Sequence, residues 1–141
     1  MPKRTVRVVL FTNEENGLRG GKGYFEAHGK DAHTAAIEAD FGAGAPRGFQ
    51  MKAPPALSAS ARSWAPLFTS LGVTEIKDGH TGADISPLEE HGTPCFGLVP
   101  DGSHYFDLHH SQADTIDKID PSNLQKNAAA LALMAYLLAE T

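Results

Sequence analysis

Apolar positions fall in blocks along the chain, and their spacing predicts most of the elements. Residues 5–12 hold Val6, Val8, Val9, Leu10 and Phe11 without strict alternation. Such a β-rich run predicts a strand covered on both faces. The polar run Asn13-Glu14-Glu15-Asn16-Gly17 breaks it sharply, and a helix is predicted over 18–28, ended by Gly29. Gly20, Gly21 and Gly23 lower its helical propensity and imply close backbone packing near its start. Residues 33–40, HTAAIEAD, read as a short strand ending at Asp40, and residues 42–56, rich in Gly, Ala and Pro, read as a loop. Leu57, Ala61, Trp64, Leu67, Phe68 and Leu71 recur at spacings of three and four, which predicts a helix over 57–71 with a kink or a late start at Pro66. Gly72 ends it, and residues 73–76 form a short strand.

The second half follows the same alternation. Ser86 as cap, Pro87 at the first helical position and Gly92 past the end predict a short helix over 85–91. Residues 94–99 form a strand, and Pro100-Asp101-Gly102 turns the chain. Residues 103–119 are a histidine-rich stretch and loop. Asp120 then caps a long helix over 122–140, opened by Pro121, with Leu124, Ala128, Leu131, Ala135 and Leu138 on one stripe. Strands alternating with helices predict an α/β fold, a three-layer sandwich on a mostly parallel mixed sheet. Nothing along residues 1–141 marks a boundary, so a single domain is expected.

Composition removes several function classes. Lys and Arg total 12 against 17 Asp and Glu, a formal net charge of -5, which argues against a phosphate-backbone binder and so against nucleic acid. One cysteine, Cys95, leaves no internal disulfide or CxxC site, and its apolar neighbours read as those of a buried, inert thiol. No run approaches the roughly 20 apolar residues of a membrane span. The seven histidines are the one unusual count, since imidazole is the commonest metal ligand.

Three stretches that bear chemistry sit just beyond predicted strands, where ligands bind in open α/β sheets. Glu14-Glu15 follows the first strand, Asp40 ends the second, and His109-His110 follows the strand at 94–99. Carboxylates and imidazoles converging on one edge are what a divalent metal requires. Adjacent carboxylates at a strand end can divide the work, one binding metal and the other accepting a proton from water. Each residue also has a plainer reading. Glu14 and Glu15 would favour the positive end of the following helix, Asp40 would suit a turn, and the histidines would sit half-exposed in a loop.

The stretches VRVVLFTNEENGLRGGKGY, IEADFG, GHTGADISPLEEHGTP and HHSQADTIDKID together resemble, in order, segments of the co-catalytic zinc exopeptidases. These include leucyl aminopeptidases and the plasma glutamate carboxypeptidase branch, towards which the TGADISPL and HHS…DT forms lean. The resemblance implies a zinc-exopeptidase-like fold and a zinc-dependent enzyme that hydrolyses a terminal bond of a small peptide. It implies Glu14 as general base, Glu15 and His110 as ligands of one zinc, and Asp40 as ligand of the other. It sets His109 where relatives place a tyrosine that steadies the oxyanion. Asp84 lines the substrate pocket or serves the start of a helix, and Asp114 orders the loop behind the ligands. His33 is a spare imidazole without a motif, and His80, His91 and His104 are surface or packing residues.

The family's N-terminal half carries a further histidine ligand and a bridging aspartate, and neither has a counterpart here. The expectation is therefore a fold truncated on its N-terminal side, with an incomplete set of ligands for two zinc ions. An upstream segment or a second copy of the chain would supply the rest. The alternative is a non-catalytic homologue, an oligomer-forming or binding module with a degenerate metal site. The family is commonly secreted, periplasmic or vacuolar, and localisation stays open.

Overall fold

A computed structural model describes residues 1–42 and 44–141. Four strands form one sheet, β1 (Ala36–Glu38), β2 (Pro46–Lys52), β3 (Glu75–Asp78) and β4 (Cys95–Pro100), in the order β1-β4-β2-β3. The β1–β4 and β2–β3 pairs are parallel and the β2–β4 pair is antiparallel, so the mostly parallel mixed sheet is observed. Five helices accompany the sheet, α1 (Arg19–His28), α2 (Pro55–Ser63), α3 (Ser86–Glu90), α4 (Tyr105–Leu108) and α5 (Pro121–Glu140), of which α2 and α5 pack on its strands and α1 on α3.

The main core lies on one face of the sheet. Phe49 and Met51 of β2 and Phe96 and Leu98 of β4 alternate inward and pack with Phe68, Met134 and Leu138. Phe49 meets Phe68 edge to face at 5.6 Å, the arrangement the ring quadrupoles favour. Helix α5 is held at its start as the sequence predicts. The Asp120 side chain accepts hydrogen bonds from the amides of Ser122 and Asn123. On the other face, the segment 79–85 crosses the strands and leads into α3. A Cβ on Gly97 would lie 2.4 Å from the Thr81 carbonyl oxygen, so only a glycine lets this segment cross.

Two predicted elements are corrected. Residues 42–56 are not a loop throughout, because β2 occupies Pro46–Lys52; residue 43 lies outside the described residues. The Pro and Gly that suggested a loop have strand-compatible places. Pro46 opens the strand, where a missing N–H is tolerated, and Gly48 lies where a Cβ would meet the Glu75 carbonyl of β3 at 2.9 Å. Conversely, residues 5–12 form no strand. Val8 is 83% exposed and Leu10 87% exposed, while Phe11 turns towards Tyr24 of α1 at 5.8 Å. Among the described residues no strand pairs with this segment, so its β propensity has no ladder to join.

Smaller differences have local causes. The predicted helix over 57–71 splits at Trp64 into α2 and a 3-10 segment, Ala65–Leu71, with Pro66 in the first turn of the second piece. The predicted cap of α3, Ser86, is its first residue, and Ile85 occupies the cap position. The close packing expected of the α1 glycines is present at two of the three. A Cβ on Gly20 would lie 2.4 Å from the Thr12 carbonyl oxygen and one on Gly21 2.5 Å from that of Asp84, whereas Gly23 faces open space.

Candidate functional site

Backbone turns position the acidic and imidazole groups. After Phe11 and Thr12 the chain reverses between Asn13 (φ 61°) and Leu18 (φ 58°), and the Glu14 carbonyl accepts from the amides of Gly17 and Leu18 at 3.0 and 2.8 Å. His110, φ 55°, is the third non-glycine residue in the left-handed region among the described residues. Asn13 and Leu18 bracket the Glu14-Glu15 pair, and His110 is itself a predicted ligand. Such conformations cost energy and gather where structure is held for function.

The turn brings Glu15 to His110. Glu15 Oε1 lies 2.6 Å from His110 Nε2, across 95 residues of sequence. Both side chains remain more than half exposed. His109 caps the end of α4, and its ring stacks on His110 at 3.7 Å and on Tyr105 at 4.5 Å. Glu14 sits in the same field. Burial, followed by the charges of Glu15, Asp40 and Asp84, pushes its carboxyl above the usual range, with His110 opposing. Asp40 follows β1 and is exposed, beside a cavity of about 270 Å³ lined by Phe41, His80, Thr81 and Leu98 among others.

Asp84 is the buried member, only 9% exposed. Its Oδ1 has no hydrogen-bond partner. Burial and then the Asp40 charge raise its pKa, and the Gly21 backbone N–H opposes them. It does not cap α3, so the helix-start role is not what this residue performs. Of the remaining histidines, His33 is engaged elsewhere, by the Tyr24 hydroxyl at 3.0 Å and the Asp31 carbonyl at 3.0 Å. His91 stacks on Phe25 at 4.3 Å, and His104 contacts Asp107 at 2.8 Å. His80 lines the cavity.

Two residues that sequence reasoning passed over belong to this region. Glu38, on β1, is 8% exposed and accepts from the amides of Ala83 and Ile85 at 3.0 and 2.9 Å. Tyr105 has its hydroxyl pKa raised by burial and by the charges of Asp40, Glu15, Asp114 and Glu14. The sequence marks Glu38 only as a charge inside an otherwise apolar three-residue strand, and marks Tyr105 not at all.

The donor set suits zinc in kind, since carboxylate oxygens and imidazole nitrogens are its usual non-thiolate ligands. The unpartnered Asp84 oxygen and the mutual repulsion around Glu14 are what a cation would relieve. In number the set is short. Among the described residues, no three His, Cys, Asp or Glu side chains stand together as an ion would need.

Comparison with known proteins gives one consistent result. The profile of Peptidase family M28 matches residues 1–135. Carboxypeptidase Q of Xenopus laevis is 35% identical over 141 residues, covering 99% of this chain and 30% of the relative, and that of Homo sapiens is 32% identical with the same coverage. The crystal structure of a Peptidase M28 precursor from Shewanella amazonensis SB2B superposes with a TM-score of 0.93 at 38% identity, over 99% of this chain and 32% of that one. The chain thus spans about a third of the length of the proteins it matches.

Proposed function

The chain belongs to peptidase family M28, and on that premise we propose that it is the part of a zinc-dependent exopeptidase that carries the general base and three of the metal ligands. The observation that supports this most is the contact between Glu15 and His110, the two residues expected to share one ion. Asp40 would hold the second ion. Zinc, when bound, lowers the pKa of water at its open position and polarises the scissile carbonyl.

The chain's own residues would do the rest. Glu14 accepts the proton of the attacking water and returns it to the leaving amine. Its carboxyl adjoins the expected ligand Glu15 in sequence, where a general base can reach the attacking water. His109, held by its stack on Tyr105, donates towards the tetrahedral oxyanion. Asp84 and the cavity beside Asp40 face the substrate, a small peptide. The remaining ligands come from a further polypeptide segment or a second chain.

The test measures zinc uptake and dipeptide hydrolysis by the chain, alone and with the remainder of a full-length M28 relative added. The relatives are named carboxypeptidases, so the panel includes dipeptides free at both ends, which either class of exopeptidase can cleave. Glu14→Gln is expected to keep zinc and lose about 10²–10⁴-fold in turnover, while Glu15→Ala and His110→Ala lose zinc. Absence of both zinc and hydrolysis in the combined sample overturns the proposal. The lack of a three-donor group among the described residues favours a second reading, a binding module with a degenerate metal site, and that outcome would select it.

A further inference from the structure

Glu38 is unusual in being a carboxylate inside a strand, 8% exposed, with no cation among its hydrogen-bond partners. Its Oε1 accepts from the Ala83 amide at 3.0 Å and its Oε2 from the Ile85 amide at 2.9 Å. Burying a carboxylate is expensive unless its lone pairs are satisfied, and here both oxygens are spent on a segment 45 and 47 residues away. A Cβ on Gly82 would lie 2.2 Å from the Glu38 carboxyl carbon, so the crossing segment lies directly against this group. The two bonded amides belong to the residues on either side of Asp84. From the opposite side, α1 presses on the Asp84 carbonyl through Gly21. Asp84 is thereby fixed from two elements, yet its own Oδ1 is buried and bonded to nothing. Glu38 also stands two residues before Asp40 on the same strand exit.

We propose that Glu38 is a positioning residue: by clamping the amides that flank Asp84, it fixes the free Asp84 oxygen relative to Asp40. The inference rests on the metallopeptidase reading for its purpose, and on the Glu38 hydrogen bonds for its geometry. A carboxylate suits this task better than an amide, because it offers an acceptor to both N–H groups. A glutamine would turn an N–H donor against one of them.

The experiment compares ¹⁵N,¹³C-labelled wild-type chain with Glu38→Gln and Glu38→Ala. The Ala83 and Ile85 amides are expected to exchange about ten- to hundredfold faster in Glu38→Ala and by a smaller factor in Glu38→Gln. The Asp84 carboxyl carbon resonance shifts in both. Titrated with zinc chloride, Glu38→Ala binds about tenfold more weakly than wild type, as removal of a supporting partner does in metal sites. Glu89→Ala is the control. It removes the contacts of Glu89 with Thr81 in the same crossing segment and with Lys52 and leaves the Asp84 resonance and zinc affinity unchanged. Unchanged exchange and an unmoved Asp84 resonance in both Glu38 variants overturn the proposal, and Glu38→Gln keeps it testable if Glu38→Ala fails to fold. Failure of the wild-type chain to bind zinc even with the remainder of a full-length M28 relative added counts against the metallopeptidase reading, while the amide and carboxyl readouts still decide the clamp.

Discussion

Helix α1 offers a comparison in which the same substitution should act with opposite sign at positions two residues apart. Gly21 and Gly23 both lie inside α1, and replacing an interior glycine by alanine favours the helix by about 1 kcal/mol. At Gly23 a Cβ would meet nothing within 4 Å, so Gly23→Ala should stabilise by about 0.5–1 kcal/mol. At Gly21 it would lie 2.5 Å from the Asp84 carbonyl oxygen and 3.2 Å from the Asp84 Cα, about 1 Å short of ordinary contact. The obstructing atoms are backbone, clamped from the far side by Glu38, and cannot swing away as a flexible side chain would. Overpacking of this kind costs about 2–3 kcal/mol. Less the helical gain, Gly21→Ala should destabilise by about 1–2 kcal/mol. At about 2–4 °C per kcal/mol for a domain of this size, the two thermal midpoints should part by several degrees, and urea denaturation checks the sign independently. Equal stabilisation by both substitutions would refute the close packing of α1 on the Asp84 segment, and with it the rigidity claimed for that segment.

Three further outcomes follow from other parts of the molecule. Asp120→Ala removes the acceptor for two amides at the start of α5 and should cost about 1 kcal/mol, seen as a lowered denaturation midpoint that Asp120→Asn largely restores. The Cys95 thiol is pushed up to about 12, chiefly by burial. It should resist a thiol-specific reagent in the native state and react in denaturant. Because its folded value is raised, the stability it confers is complete below the ordinary thiol range and is lost as pH rises towards 12. Asp101 is held down at about 2, first by its hydrogen bond from Arg47 at 2.8 Å and then by Ser103. That contribution is present above the ordinary aspartate value and lost as pH falls towards 2, and Arg47→Leu should raise the Asp101 titration followed by NMR.

What the sequence disclosed depended on how local the cause was. The Asp120 cap and the apolar stripe of α5 are set by neighbours three and four residues away, and both appear as read. The strand β2 was hidden because Pro46 and Gly48 are loop formers by propensity, and only the pairing with β3 and β4 shows why they are tolerated. Residues 5–12 failed in the opposite direction. Val6, Val8 and Leu10 promise a strand, but a strand needs a partner, and none lies beside them among the described residues. For the site, Glu14, Glu15, Asp40 and the His109-His110 pair stood out because each follows a predicted strand, while Asp84 came only with the family resemblance. Glu38 did not, since its importance comes wholly from two amides contributed by a distant segment.

The placement of these groups decides how a loss of function should be read. Glu15 and Asp40 are exposed, Glu14 and His109 lie at the surface only half-buried, and His110 is more than half exposed. None contributes to the cluster of Phe49, Met51, Phe96, Leu98, Met134 and Leu138 that holds the sheet to α5. Substitutions at the exposed residues should therefore remove chemistry and leave the denaturation midpoint nearly where it was, within about 0.5 kcal/mol. Removing one carboxylate from the self-repelling group around Glu14 can even raise it. Glu38 and Asp84 differ because they are buried where β1 meets the segment that leads from β3 into α3, so at these two positions stability and function change together. A survey of midpoints across the site thus separates groups that would touch substrate or metal from groups that hold them in place. A large stability loss on Glu15→Ala or His110→Ala would mean that their contact is a structural strut rather than two ligands waiting for an ion.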